Sequence, residues 1–300
     1  MTHPAPTDPP PCDLPPSGPA PTGLPAIGPA PASGPPTTAA AAAGLPFGRA
    51  VRGARAEAAA LAHHVVRYPA GLVPEPRPRD CPPGPAADRA QRGPVLLLHG
   101  LADNRAVFGP LRRELLRHGW AHLHALNYSP LIRDVRAAAV LLARHVEWAA
   151  EAHQGRPVTL VGHSLGGLIC RYYVQRLGGD AAAPRVVTLG TPHEGTTAAL
   201  LPTPFPVTRQ LRPGSDLLAE LALPAPSCRA HFTALRGELD EVVRPGRGAW
   251  LHHPDLHSEN LLIPSVGHIG LPAHPLAVEA VRRALEAEGG GAGLVQRHAS

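Results

Sequence analysis

From Pro94 onward, short apolar runs alternate with longer segments whose apolar positions recur every three to four residues. The runs "VLLLHG" (Val95 to Gly100), "AHLHALN" (Ala121 to Asn127), "PVTLVG" (Pro157 to Gly162), "PRVVTLG" (Pro184 to Gly190), "RAHFTALRG" (Arg229 to Gly237) and "ENLLIPSVG" (Glu259 to Gly267) predict strands. The segments "VFGPLRRELLRHG", "RDVRAAAVLLARHVEWAAEAH" and "LGGLICRYYVQRLGG" predict helices; Val135, Ala139, Leu142 and Val146 form one stripe of the second. Strand and helix in alternation predict an α/β fold, a mostly parallel central sheet with helices on both faces.

Two stretches depart from this rhythm. Between Glu194 and Cys228 the chain inserts closely spaced prolines and a short helix expected from Ser215, read as a cap or partial lid over the strand ends. Upstream, Val51, Ala54, Ala58, Leu61 and Val65 recur at helical spacing, with Arg49, Arg52, Arg55 and Glu57 largely on other faces. We expect a helix over 49–67 docked on the domain; the alternative is a peripheral membrane contact with its basic flank toward anionic lipid.

Composition sets the boundaries. Fifteen of the 39 prolines fall in residues 1–48, a segment without arginine that reads as a disordered or polyproline-like tail. Eight prolines between Pro69 and Pro94 read as a linker closing the 49–93 segment. The domain is then expected over 94–288, with the insertion at 194–228 and a flexible tail at 289–300. The net charge of +5 comes from arginine alone, since lysine is absent, and no basic run or basic–aromatic stripe offers a nucleic-acid platform. Cys12, Cys81, Cys170 and Cys228 have no metal-ligand spacing. A conventional signal segment and a spanning apolar run are both missing, so a cytoplasmic location is the expectation.

The chemistry gathers at "GHSLG". A strand before it and a helix after it put Ser164 on a sharp turn, where Gly162 and Gly166 are needed because a Cβ would collide with the neighbouring backbone. The hydroxyl stands clear of the sheet at the positive end of a helix. A serine needs a base, and the base an orienting carboxylate, expected after later strands in the order acid, then histidine. Asp240 follows the fifth predicted strand, with Glu238 and Glu241 as neighbours that compete for the role; Asp216 and Asp255 look like helix-start and loop residues. His268 follows the last strand and precedes the C-terminal helix expected from about Leu276, whereas His252, His253, His257 and His274 lack that setting. His163 is placed inside the turn and is read as a packing or hydrogen-bonding residue. A developing oxyanion needs two backbone donors: Leu165, after the nucleophile, and Leu101, where Gly100 permits the bend. Asp103 and Asn104 are read as bracing that loop.

"LLLHGLADN", "LVGHSLGGLICRYYVQ" and "VVTLGTPHEGT", with the late Asp240 and His268, resemble the α/β-hydrolase superfamily and, within it, bacterial lipases and esterases of the triacylglycerol-lipase type, over roughly Pro94 to Leu285. The resemblance implies Ser164, Asp240 and His268 as a triad, Leu101 and Leu165 as oxyanion donors, and Thr191, Pro192 and His193 as a segment bordering the site with His99, Gly100 and His163. Since His193 precedes the acid, it is not expected to be the base. No cofactor is implied; some related lipases hold a structural calcium, but no Asp cluster here justifies a metal. The expected activity is hydrolysis of a lipid or other apolar acyl ester, with acyl transfer or thioester cleavage by the same residues as the alternative. A silent hydrolase fold used for binding is the third reading.

Overall fold

The computed structural model describes residues 28–29, 47–72, 92–129 and 132–287. Among these residues, seven strands form one sheet in the order β1-β7-β6-β5-β4-β2-β3. They are β1 (Gly28–Pro29), β2 (Val95–Leu98), β3 (Leu123–Leu126), β4 (Thr159–His163), β5 (Arg185–Leu189), β6 (His231–Gly237) and β7 (His257–Ile263). From β2 to β7 every pairing is parallel, and β1 adds an antiparallel edge on Leu261 and Leu262. β2 is buried along its whole length, as expected for a parallel strand covered on both faces. Its side chains alternate: Leu96 and Leu98 pack with α3 (Val135–Ala152) and α4 (Leu165–Arg176), Val95 and Leu97 with α2 (Gly109–Arg117) and α6 (Pro275–Glu286).

All six predicted strands and the core helices form, with ends displaced by a few residues. The largest displacement is at β7, which starts at His257 and stops at Ile263, because the chain turns at Pro264 and Ser265 before reaching His268. The helix expected from Ser215 is α5 (Asp216–Leu221), with the Ser215 hydroxyl accepting from the Leu218 amide. After β3 the chain crosses back past β2 to form β4, so the loops leaving β2 and β4 diverge from adjacent strands. Open α/β sheets form their ligand crevice at such a switch point, and here the diverging loops are those of Leu101 and Ser164.

The N-terminal segment differs most from expectation. Gly28–Pro29 pairs with the sheet, and the rest of 1–46 lies outside the described residues, as do most of the expected linker and residues 288–300. The first helix, α1 (Phe47–Leu72), runs past Pro69. Proline leaves the carbonyl one turn earlier without its amide, yet the end of this helix is capped from outside. Asn104 Nδ2 donates to the Tyr68 carbonyl at 2.8 Å and Asn127 Nδ2 to that of Gly71 at 2.7 Å.

The expected apolar stripe also faces the other way. Val51, Leu61 and Val65 are 40, 47 and 61% exposed, while Glu57, His64, Arg67 and Tyr68 turn toward the domain. The sequence period identifies a stripe; among the described side chains, the contacts that seat this helix are polar.

Candidate functional site

Ser164 adopts φ 53°, ψ −119° between β4 and α4, a left-handed conformation that a non-glycine residue holds only when its surroundings compel it. The surroundings are tight. A Cβ on Gly162 would stand 2.5 Å from the Gly167 backbone, and one on Gly166 would stand 2.3 Å from the Leu98 carbonyl oxygen. The Ser164 amide donates to the Leu189 carbonyl at 2.8 Å, and Thr191 Oγ1 donates to the Ser164 carbonyl at 3.0 Å. Ser164 is thereby held on both sides, and it is partly exposed among buried neighbours.

One residue beyond Leu189, Gly190 has φ +56°, and a Cβ there would meet His268 Nδ1 at 3.0 Å and Asp240 Oδ2 at 3.1 Å. The structure thus brings Asp240 and His268 together above the strand that binds the Ser164 backbone. His268 Nδ1 donates to Asp240 Oδ2 at 2.8 Å, and the carboxylate's other oxygen accepts from the amides of Val242 and Val243 at 2.9 Å each. Burial of Asp240 would push its carboxyl up, but the His268 hydrogen bond and charge, with the two amides, outweigh burial and hold it below the usual range. Among the described residues no hydrogen bond joins Ser164 Oγ to His268; such contacts often tighten only when substrate binds.

Glu238 accepts from the Ser265 amide at 3.0 Å and Glu241 pairs with Arg244, so neither competitor is turned to His268. Of the other histidines, His253 bonds the Leu223 carbonyl and His257 stacks on His231 at the start of β6. His193 lies with its Nε2 3.0 Å from Thr188 Oγ1, and its carbonyl accepts from Arg171.

His163 donates from Nε2 to the His268 carbonyl at 3.1 Å, with ring centroids 4.9 Å apart. Complete burial, reinforced by the charge of His268, drops its pKa to about 3, so it stays neutral beneath the backbone of His268. His99 is also buried and drops to about 4. It stacks on Tyr128 with centroids 4.2 Å apart, and the Tyr128 hydroxyl donates to its carbonyl. That clamp fixes the start of the Gly100–Leu101 turn. A Cβ on Gly100 would lie 3.2 Å from both the Ser164 Cβ and His163 Nδ1, so the turn passes directly against the serine. Leu165 is the first residue of α4, where an amide has no carbonyl within its own helix.

Asp103 and Asn104 do brace this loop. Asn104 Oδ1 accepts from Ala106 and caps the short 3-10 turn Arg105–Phe108, while Asp103 lies 3.3 Å from His64 of α1. The sequence reading did not single out Tyr128, Arg171 or the inward role of Glu57. Arg171 donates to the His193 carbonyl, the Leu221 carbonyl and Gln175, joining α4, the turn after β5 and the insertion; burial lowers its pKa to about 9. Its only signal in the sequence is a charged residue within an apolar helix. Among the described residues no group of three or more His, Cys, Asp or Glu is arranged for a metal ion.

A parallel sheet crossed at β2/β4, with a serine at the tip of a glycine-walled strand–helix turn, is the architecture of the α/β-hydrolase fold. Residues 93–214 match the family described as the alpha/beta hydrolase fold. It is 34% identical over 161 residues to a triacylglycerol lipase of Burkholderia plantarii, covering 49% of this chain and 42% of that one. It is 33% identical over 174 residues to a pimeloyl-[acyl-carrier protein] methyl ester esterase of Chromobacterium violaceum, covering 51% of this chain and 63% of that one. The chain therefore spans about two-fifths to three-fifths of these relatives' lengths. A mature lipase of Bacillus licheniformis shares the fold with a TM-score of 0.56 and 18% identity, over 68% of this chain and 94% of that one.

Proposed function

We propose that this protein is a carboxylic-ester hydrolase acting on apolar acyl esters, with Ser164 as nucleophile, His268 as base and Asp240 as the carboxylate that orients it. The observation that carries the reading is the buried Asp240–His268 pair, 2.8 Å apart and packed on Gly190, one residue from the carbonyl that binds the Ser164 amide. His268 Nδ1–H bonded to Asp240 leaves Nε2 to take the Ser164 proton as the hydroxyl attacks the ester carbonyl. The amides of Leu101 and Leu165 receive the oxyanion, and the proton passes to the departing alcohol. Water, deprotonated by His268, then releases the acid from Ser164. The lipase and esterase names among the relatives support ester chemistry.

A fluorophosphonate probe tests the nucleophile. The parent should be labelled at Ser164 alone, as read by peptide mass spectrometry, and Ser164→Ala should be unlabelled, with turnover of short-chain esters down on the order of 10^4-fold or more. Labelling at another residue, or no turnover across a chain-length series of esters, would overturn the reading. Added alcohols and thioesters, with product analysis, distinguish hydrolysis from acyl transfer and thioester cleavage.

A further inference from the structure

α1 is amphipathic with its polar side inward. Glu57 Oε1 accepts from the amides of Ile269 and Gly270, directly after His268; His64 faces Asp103; the carbonyls of Tyr68 and Gly71 take Asn104 and Asn127. From Glu57 to Gly71 the helix spans roughly 21 Å, reaching from the loop that carries His268 to the one after Leu101. Beneath it, Glu57 and Ala60 overlie a cavity of about 220 Å³ bordered by Ser265–Gly267 and His274. Among the described side chains of α1, the contacts that seat it are a few polar ones rather than a packed apolar face.

The outer face is the reverse. Ala58, Ala59, Leu61, Ala62, Val65, Val66, Pro69 and Leu72 are all exposed, Val66 at 78% and Leu72 at 65%. A contiguous apolar ridge on water is costly unless something covers it. The charges nearby identify what. Of the charged side chains described on α1, Glu57 and Arg67 are turned toward the domain, and Arg55 is exposed on the outer side beside Val51. An apolar ridge whose described charge is the cation Arg55 complements an anionic lipid surface, whereas a second copy would bring like charge against like.

We infer that the outer face of α1 seats the protein on an anionic phospholipid surface, with the helix lying in the interface and the Ser164 site beneath it. No helix among the described residues is long and apolar enough to cross a membrane, so the contact is peripheral. The inference rests on the ester-hydrolase reading for the substrate met there: an acyl ester dissolved in the same surface.

Flotation of the full chain with phosphatidylcholine–phosphatidylglycerol vesicles, and with pure phosphatidylcholine vesicles, tests it. The chain should float with the anionic vesicles. Leu61→Gln/Val65→Gln/Val66→Gln should lower partitioning on the order of 100-fold; glutamine is a better helix former than valine, so α1 is kept. Arg55→Gln should lose about fivefold on anionic vesicles only. Both variants should keep parental turnover of a soluble short-chain ester. Failure of the parent to float, or flotation of the triple variant equal to the parent's, would overturn the inference. So would reversible self-association that the triple variant abolishes without any vesicle binding, which would give the face to a second copy. Fluorophosphonate labelling without flotation removes the lipid surface alone, and flotation without labelling removes the hydrolase reading alone.

Discussion

The insertion between β5 and β6 and the helix α1 both adjoin the candidate site, yet they are attached in opposite ways. The insertion turns its apolar residues inward: Val207, Leu217 and Leu221 are fully buried and join the same core as Leu98 and Leu168. Polar ties then anchor its outer side, with Glu220 accepting from Arg136 at 2.7 Å and from Tyr172 at 2.6 Å. α1 turns its apolar residues outward and holds on through Glu57, His64 and the end carbonyls. A segment attached by hydrophobic burial unfolds with the core, whereas one attached by a few hydrogen bonds can open by itself. The difference shows which of the two is able to move without unfolding the domain.

Acid should separate them most strongly. His163 and His99 titrate in the fold at about 3 and about 4, below the unfolded value of roughly 6.5, so they contribute stability that is fully present above that value. As pH falls from 7 to 5 the unfolded chain binds their protons first, and these two groups alone should cost the domain about 4 kcal/mol, to which His193, also buried and lowered, adds. Urea titrations at the two pH values would measure this. Hydrogen exchange of the insertion should accelerate with that loss, and exchange of α1 should not follow it. Parallel acceleration of both would mean that α1 belongs to the same cooperative unit.

Leucine truncation gives the next effect. Leu221→Ala in the insertion should cost about 3 kcal/mol, the sum of lost burial and a cavity, while Leu61→Ala on α1 should change stability by less than about 0.5 kcal/mol. Thermal unfolding of the two variants checks the pair. A large loss for Leu61→Ala would mean that the apolar stripe packs inward after all.

The sequence made the core far more legible than this contrast. Alternation of apolar runs with helical stripes located β2 through β7 because a parallel sheet buried on both faces leaves few other places for such runs. Ser164 was legible from Gly162 and Gly166, since their collisions with the neighbouring backbone are a property of the strand–helix turn itself. Asp240 and His268 are selected by position after predicted strands, and in the fold they are hydrogen-bonded to each other. The facing of α1 was not legible. Periodicity gives the angular position of an apolar stripe and is silent on which side meets protein. That was decided by amide donors more than 200 residues away in sequence, at Ile269 and Gly270, and by the side-chain amides of Asn104 and Asn127, which also carry the helix past Pro69.

Smaller effects probe the polar attachments directly. Glu57→Gln keeps an oxygen acceptor but removes the charge that receives the Ile269 and Gly270 amides, so α1 should loosen by about 1 kcal/mol. Faster exchange of the amides across 57–72, with no change in the midpoint of global unfolding, is the expected pattern. Glu220→Gln weakens the tie of the insertion to Arg136 and Tyr172, groups partly open to solvent, and should cost only about 0.5 kcal/mol, since water screens such pairs. That loss should appear in global unfolding rather than as local opening, because the buried leucines still hold the segment. If Glu220→Gln instead freed the insertion locally, its apolar side would be contributing less than burial implies, and the insertion would join α1 as a movable cover of the site.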